Sequence, residues 1–114
     1  MIITQSDPFT PNQIIALQEE FGEYIKTVID INKKICSAGM PLHYLGEKIL
    51  LEIGSIQSNI WGGGIDLVTK EIDYNSFINI RPNDNNPKNE IQSEEIKKIY
   101  NELTQYFFPL LYER

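Results

Sequence analysis

The sequence is short of the residues from which most metal and redox sites are built. Among its 114 residues there is one cysteine, Cys36, and one histidine, His43. A single cysteine excludes a disulfide within the chain, and a single histidine excludes a site with several imidazole ligands. We therefore expect no metal and no cofactor, and the expected compartment is a reducing cytoplasm.

Basic residues and long apolar runs are scarce as well. Ten Lys and Arg residues stand against sixteen Asp and Glu residues, which gives a net charge of −6. A surface that binds nucleic acid through its phosphates is basic, so this charge argues against a nucleic-acid partner. No apolar run approaches the roughly 20 residues that cross a bilayer as a helix, so we expect no membrane partner either.

The length and the order of the periodic segments predict the fold class. A chain of 114 residues is expected to form a single domain over residues 1–114. Strand and helix patterns follow one another as β-α-β-β-α-β-β-α. Consecutive strands imply hairpins, so the sheet should be mostly antiparallel. We predict a two-layer α+β domain with its helices on one face of the sheet.

The first helix has the clearest start signal. Thr10 is a capping residue, Pro11 suits the first helical position, and Gln13 completes a capping box. Apolar residues then recur at helical spacing as far as Phe21. Gly22 fits the position just past the helix end.

Two further helices follow from apolar residues at helical spacing. One covers Pro41–Ile53, and the other begins after the capping residue Ser93 and ends at Pro109. The remaining tail, Leu110–Tyr112, is apolar. It either folds back onto the core or forms a contact with a second copy of the chain.

Strands are predicted from alternating or β-branched segments. A β-branched run within residues 25–31 favours a hairpin, although a continuous helix also fits the spacing of Ile25 and Ile29. The predicted strands are Ile2–Thr4, Ile25–Ile31, Ile35–Ala38, Ile60–Val68 and Phe77–Ile80.

A stretch from Gly54 to Pro82 contains the most distinctive residues and the candidate site. Lysine is the default cation here, with arginine only at Arg81 and Arg114, so the flat, five-donor guanidinium of the internal arginine suggests a role in binding a small anion. Donors near strand and helix ends could join it on one edge. The predicted ligand-binding residues are Ser55, Gln57, Trp61, Asn79 and Arg81. As an alternative, Gln57 and Asn79 satisfy backbone groups at the sheet ends, and Arg81 forms an ordinary ion pair.

Two functions remain open. The first is a binding or interaction module that takes a small anion at the Arg81 edge, or a protein partner, with a homodimer as one case. The second is a small enzyme in which His43 is the acid or base and Arg81 binds the anion. The enzyme requires one of Asp30, Glu52 or Asp66 in the same pocket. A lone histidine at a helix start also suits a packing or surface role.

Two segments carry a resemblance to a known family. They are residues 54–62, with the pattern GSxQxxxWG, and residues 78–82, INIRP. The chain resembles a family of short prokaryotic proteins that is known as a domain of unknown function, over a region from Asp30 to the last helix. The resemblance implies a shared α+β fold and no particular reaction. It also implies a shared polar edge, which comprises His43, Ser55, Gln57, Asn79 and Arg81.

Overall fold

The computed structural model describes residues 1–112. The strands are β1 (Ile3–Gln5), β2 (Tyr24–Asp30), β3 (Ile35–Ala38), β4 (Ile60–Asp66) and β5 (Ile72–Asp73). The helices are α1 (Pro11–Phe21), α2 (His43–Glu52), α3 (Glu94–Phe107) and α4 (Pro109–Tyr112). Three short 3-10 helices cover Gln57–Asn59, Phe77–Asn79 and Pro82–Asp84. Within this range, no helix combines the length and the apolar character needed to cross a bilayer.

The five strands form one sheet in the order β1-β3-β2-β4-β5, and every neighbouring pair is antiparallel. The centre of the sheet is the β2–β4 pair, which runs from Tyr24 opposite Asp66 to Asp30 opposite Ile60. The predicted α+β class with an antiparallel sheet is confirmed. The β2–β3 hairpin is also confirmed, and Lys34 takes a left-handed backbone conformation in its turn.

Local capping explains why α1 and α3 begin where the sequence predicts. The Thr10 hydroxyl accepts a hydrogen bond from the Gln13 amide at 3.2 Å, and the Gln13 side chain accepts one from the Thr10 amide at 2.9 Å. At α3, the Ser93 hydroxyl accepts from the Ile96 amide. These contacts satisfy amides that have no partner inside the helix.

The helices cover both faces of the sheet, so the prediction that they share one face is wrong. Ile29 of β2 packs in a cluster with α1 and α3, whereas its neighbour Val28 packs in a second cluster with Leu50 of α2. Neighbouring residues of a strand point to opposite faces. Since β2 is buried on both faces, α2 must cover the side away from α1 and α3.

Gly46 explains how α2 comes close to the sheet. A Cβ atom at this position would lie 2.6 Å from Cε of Met40 and 2.9 Å from Cγ2 of Val28. The glycine weakens the helix by about 1 kcal/mol relative to alanine. In exchange it gives the helix backbone room to pack directly on β2.

The predicted strand Phe77–Ile80 is wrong, because residues 77–79 form a 3-10 helix. The Ser76 hydroxyl accepts a hydrogen bond from the Ile78 amide at 3.2 Å and thereby caps this turn. The last strand of the sheet is instead β5, which is two residues long and lies between the predicted strands Ile60–Val68 and Phe77–Ile80. The strand from Ile60 is found, but it ends at Asp66 rather than Val68.

The C-terminal tail folds back, which is the first of its two predicted alternatives. It forms the short helix α4, and Leu111 and Tyr112 pack against the cluster formed with α1 and α3. The Tyr112 hydroxyl donates a hydrogen bond to the Lys70 carbonyl at 3.0 Å. Two of the three tail residues are therefore partly buried within the chain itself.

Candidate functional site

Asn79 takes the place of a strand along part of the β4 edge. Its Oδ1 accepts a hydrogen bond from the Gly62 amide at 2.8 Å, and its Nδ2 donates to the Gly62 carbonyl at 2.9 Å. The same Nδ2 lies 3.2 Å from the Tyr74 carbonyl and 3.0 Å from the Asn89 carbonyl. The side chain is completely buried. Its polar atoms are therefore engaged with backbone groups, as in the alternative that the sequence left open.

Asn86 continues this arrangement through the following loop. Its Nδ2 lies within 3.1 Å of the carbonyls of Asn79, Lys88 and Glu90, and its Oδ1 accepts from the Gln92 amide at 2.7 Å. Buried backbone groups require such partners when no strand supplies them. Two asparagine side chains thus hold residues 74–92 against β4.

Arg81 and Trp61 form a buried pair. The guanidinium carbon lies 4.2 Å from the centre of the Trp61 ring, a cation–π geometry. Arg81 is 8% exposed and Trp61 is 2% exposed. Arg81 Nε lies 3.0 Å from Asp84 Oδ2, although its N–H does not point along that line. Arg81 Nη2 and Trp61 Nε1 have no protein partner among residues 1–112.

Burial also affects the ionisation of Arg81. It lowers the pKa of the guanidinium, and the nearby Asp84 and Glu47 carboxylates oppose that change. An arginine keeps its charge under such conditions because its ordinary pKa is so high. The pair therefore presents one buried positive charge and, besides Arg81 Nε beside Asp84, two donor atoms that have no acceptor within residues 1–112.

Ser55 and Gln57 form their side-chain hydrogen bonds with residues other than Arg81 and Trp61. The Ser55 hydroxyl donates to Asp30 Oδ2 at 2.6 Å, and Asp30 Oδ1 accepts from the amides of Asn32 and Lys33. Both Ser55 and Asp30 are buried. Their contacts join the β2–β3 turn to the end of α2. Gln57 is exposed, and its Nε2 lies 3.5 Å from Glu47 Oε2.

His43 sits at the first turn of α2 and contacts the backbone of β4. Its Nε2 lies 2.7 Å from the Gly63 carbonyl oxygen. Because a carbonyl can only accept, Nε2 carries the proton. Burial lowers the pKa of His43, and the bond to Gly63 opposes that change only in part. The imidazole is therefore mainly neutral at pH 7, with a lone pair on Nδ1.

An apolar cleft lies beside His43. We call it the His43 cleft, and it has a volume of about 420 Å³. Its rim includes Leu42, Tyr44 and Phe77, all exposed, and Phe77 is 81% exposed. The lining residues are Tyr24, Lys26, Leu42, His43, Tyr44, Asn75, Ser76, Phe77, Ile78 and Asn89.

The predicted site residues thus separate into distinct surroundings. Trp61, Asn79 and Arg81 meet around the β4 edge, Ser55 contacts Asp30, and His43 lines the cleft. The cleft lining contains neither Arg81 nor any carboxylate. The requirement of the enzyme hypothesis, His43 with Arg81 and an acid in one pocket, is not met in this cleft.

Comparison with known proteins places the chain in a family. A family model described as a protein of unknown function, DUF5674, matches residues 1–107, from the first residue to the end of α3. The chain belongs to the DUF5674 family. This confirms the predicted resemblance to a family of unknown function. No curated protein and no solved structure matches the chain.

The sequence reasoning missed the apolar rim of this DUF5674 chain. Leu42 and Phe77 were assigned to a helix and to a strand, where such residues are normally buried. The available signal was the pair of serine and asparagine residues around Phe77, since Ser76 caps the turn and Asn79 anchors it. Such residues favour a turn over a strand, and a turn between anchors leaves its apolar residue outside.

Proposed function

We propose that this DUF5674 protein is a binding module that receives an apolar group of its partner in the His43 cleft. The observation that carries the proposal is the exposed apolar rim of a cleft large enough for one aromatic ring. Exposed apolar residues that surround a concave site commonly mark a binding surface. Large aromatic side chains also dominate the energetics of such surfaces.

The rim residue Phe77 is held in place, which limits the entropy lost on binding. Ser76 caps its turn, and Asn79 ties the end of the same turn to Gly62. A side chain on an ordered backbone loses less conformational freedom when a partner arrives. Neutral His43 on one side of the cleft adds a polar atom without the cost of burying a charge.

Replacement of Phe77 by alanine should weaken binding to the cleft. N-acetylphenylalaninamide is the probe, and backbone amide shifts in the ¹H–¹⁵N spectrum follow its titration. We expect saturable shifts at residues 75–78, and a dissociation constant at least about fivefold higher for Phe77→Ala. Val68→Ala is the matched control, because Val68 is exposed and lies outside the cleft. The proposal is wrong if the amide signals of the cleft residues do not shift. It is also wrong if Phe77→Ala and Val68→Ala bind N-acetylphenylalaninamide with the same dissociation constant.

The Arg81 edge is a second candidate location, for a small anion. It is supported by two buried donors, Arg81 Nη2 and Trp61 Nε1, that lack a protein acceptor within residues 1–112. A carboxylate or phosphate oxygen would satisfy such donors. An anion there would compete with Asp84, which already lies 3.0 Å from Arg81 Nε.

Thermal-shift measurements with citrate and inorganic phosphate test the Arg81 edge. We expect both anions to raise the melting temperature of the wild type by about 4 °C or more. Arg81→Lys should lose this increase, because an ammonium group lacks the planar fork of donors. General salting-out raises both proteins alike. Equal increases in the melting temperatures of the wild type and of Arg81→Lys would therefore rule out an anion site at the Arg81 edge.

A further inference from the structure

A second cleft with the opposite character adjoins the His43 cleft. We call it the acidic cleft, and it has a volume of about 320 Å³. Tyr24 and Asn75 line both clefts, so the two lie side by side, and we refer to them together as the groove. The acidic cleft is also lined by four carboxylates, and its lining contains no lysine or arginine. These carboxylates belong to Asp66, Glu71, Asp73 and Glu90.

Internal contacts leave most of this negative charge without a cation. Both oxygens of Asp73 accept hydrogen bonds from neutral groups, the Tyr24 hydroxyl and the amides of Asn75. Asp66 Oδ1 accepts two backbone amides of its own turn. Glu90 is paired with Lys97 at 3.1 Å. Glu71 has no ion pair among residues 1–112, so about three of the four charges are uncompensated.

The ionisation of Tyr24 is consistent with the negative potential of these carboxylates. Burial raises the pKa of the Tyr24 hydroxyl above its ordinary value, and the carboxylates of Asp73 and Asp66 raise it further. Lys26 lines only the His43 cleft, and its Nζ lies 5.5 Å from the centre of the Tyr24 ring. A partner's cation is therefore repelled from the His43 side and attracted to the acidic side.

We propose that the partner of the groove is a peptide segment with an apolar side chain followed by a lysine or arginine. The apolar side chain occupies the His43 cleft, and the basic side chain reaches past Tyr24 into the acidic cleft. The assignment rests on the proposed function of the His43 cleft. The carboxylates of the acidic cleft are complementary to a basic side chain, and the overall charge of −6 also attracts basic chains.

Three capped dipeptides test the assignment: N-acetylated and C-amidated Phe-Lys, Phe-Glu and Ala-Lys. Their dissociation constants follow from amide shifts of the ¹⁵N-labelled protein. We expect Phe-Lys to bind at least about fivefold more tightly than Phe-Glu at low salt. The difference should shrink as ionic strength rises, because the charges are partly exposed to solvent. Glu71→Gln should reduce the preference for Phe-Lys, whereas Glu19→Gln, an exposed position on α1, should leave it unchanged.

The outcomes separate this inference from the proposed function. Equal binding of Phe-Lys and Phe-Glu with shifts in the His43 cleft would overturn the basic partner and leave the binding module in place. Tighter binding of Phe-Glu than of Phe-Lys would mean that Lys26 determines the charge preference of the groove, and it would also overturn the inference. Shifts in neither cleft, or equal binding of Ala-Lys and Phe-Lys, would remove the apolar site and the inference together.

Discussion

Asn79→Ala is expected to lower the free energy of unfolding by at least about 3 kcal/mol, one of the largest effects of any single substitution in this chain. The change leaves the Gly62 amide and carbonyl without their partner and removes a donor from two further carbonyls. Each buried polar group left unsatisfied costs about 1–3 kcal/mol. Urea unfolding monitored by circular dichroism measures the change.

Two companion variants isolate the cause. Asn79→Asp keeps the size of the side chain and an acceptor for the Gly62 amide, but it places carboxylate oxygen next to carbonyl oxygens. We expect it to destabilise at least as much as alanine does. Asn83→Ala is the control, because Asn83 is exposed, and its effect should stay within about 0.5 kcal/mol. A mild effect of Asn79→Asp would mean that side-chain volume, rather than the amide donor, matters.

Gly63→Ala is expected to produce a loss of similar size for a steric reason. A Cβ atom at Gly63 would lie against the backbone oxygen of Asp73, and it would be 2.9 Å from Cε1 of Tyr100. Tyr100 cannot retreat easily, because it is fully buried and its hydroxyl lies 2.6 Å from Thr27 Oγ1. Overpacking of a rigid core costs about 1–3 kcal/mol and sometimes more. We expect a fall in melting temperature of about 10 °C.

Gly22→Ala is the matched control for the steric argument. Gly22 has a φ of 68°, but a Cβ atom there would meet nothing within 4 Å. Only the backbone strain of a left-handed alanine remains, about 1–2 kcal/mol. Calorimetry of both variants compares the two costs. A loss at Gly63 no larger than the loss at Gly22 would contradict the steric argument, because the crowding between β4, β5 and α3 would then cost no more than backbone strain alone.

The two predictions concern the same part of the molecule as the candidate binding site. Asn79 closes the 3-10 helix that presents Phe77, and Gly63 supplies the carbonyl that holds His43. A destabilised β4 edge would therefore move both sides of the His43 cleft. Binding measurements on Phe77→Ala are more informative than those on Asn79 variants, because Phe77 is exposed and contributes little to the core.

The elements that sequence reasoning predicted well depend on contacts between near neighbours. The start of α1 depends on Thr10 and Gln13, three residues apart, and the start of α3 depends on Ser93 and Ile96. The β2–β3 hairpin follows from a β-branched run and a short turn. These signals lie within a few residues, so they can be detected without knowledge of the fold.

The errors concern elements whose environment is set by distant parts of the chain. Residues 77–80 have an apolar strand-like pattern, but Asn79 pairs with Gly62, seventeen residues away, through its side chain. The sequence did not indicate that the second face of β2 is buried, because the charged residues Lys26 and Asp30 flank Val28 on that face. A buried Asp30 is compatible with the core only because Ser55 and two backbone amides satisfy it.

The candidate site divides in the same way. The sequence singled out His43 and Arg81 as residues of unusual type and Asn79 as a polar residue near a strand end, and each has a specific partner in the structure. Their grouping could not be inferred, because Arg81 stacks on Trp61 while His43 bonds to Gly63. The exposed rim at Phe77 was assigned to a strand, since its exposure depends on a turn that the long-range hydrogen bonds of Asn79 hold against β4.

The sequence by itself determined the α+β class, the capped helices, the hairpin and membership of the DUF5674 family. Capping, periodicity and motif spacing are local properties of the chain, which explains why these features could be predicted. The tertiary structure alone decided that α2 covers the second face, that Asn79 replaces a strand, and that an apolar cleft adjoins an acidic one. Each of these depends on packing between segments that are remote in sequence, where the free energy of burial outweighs local preference.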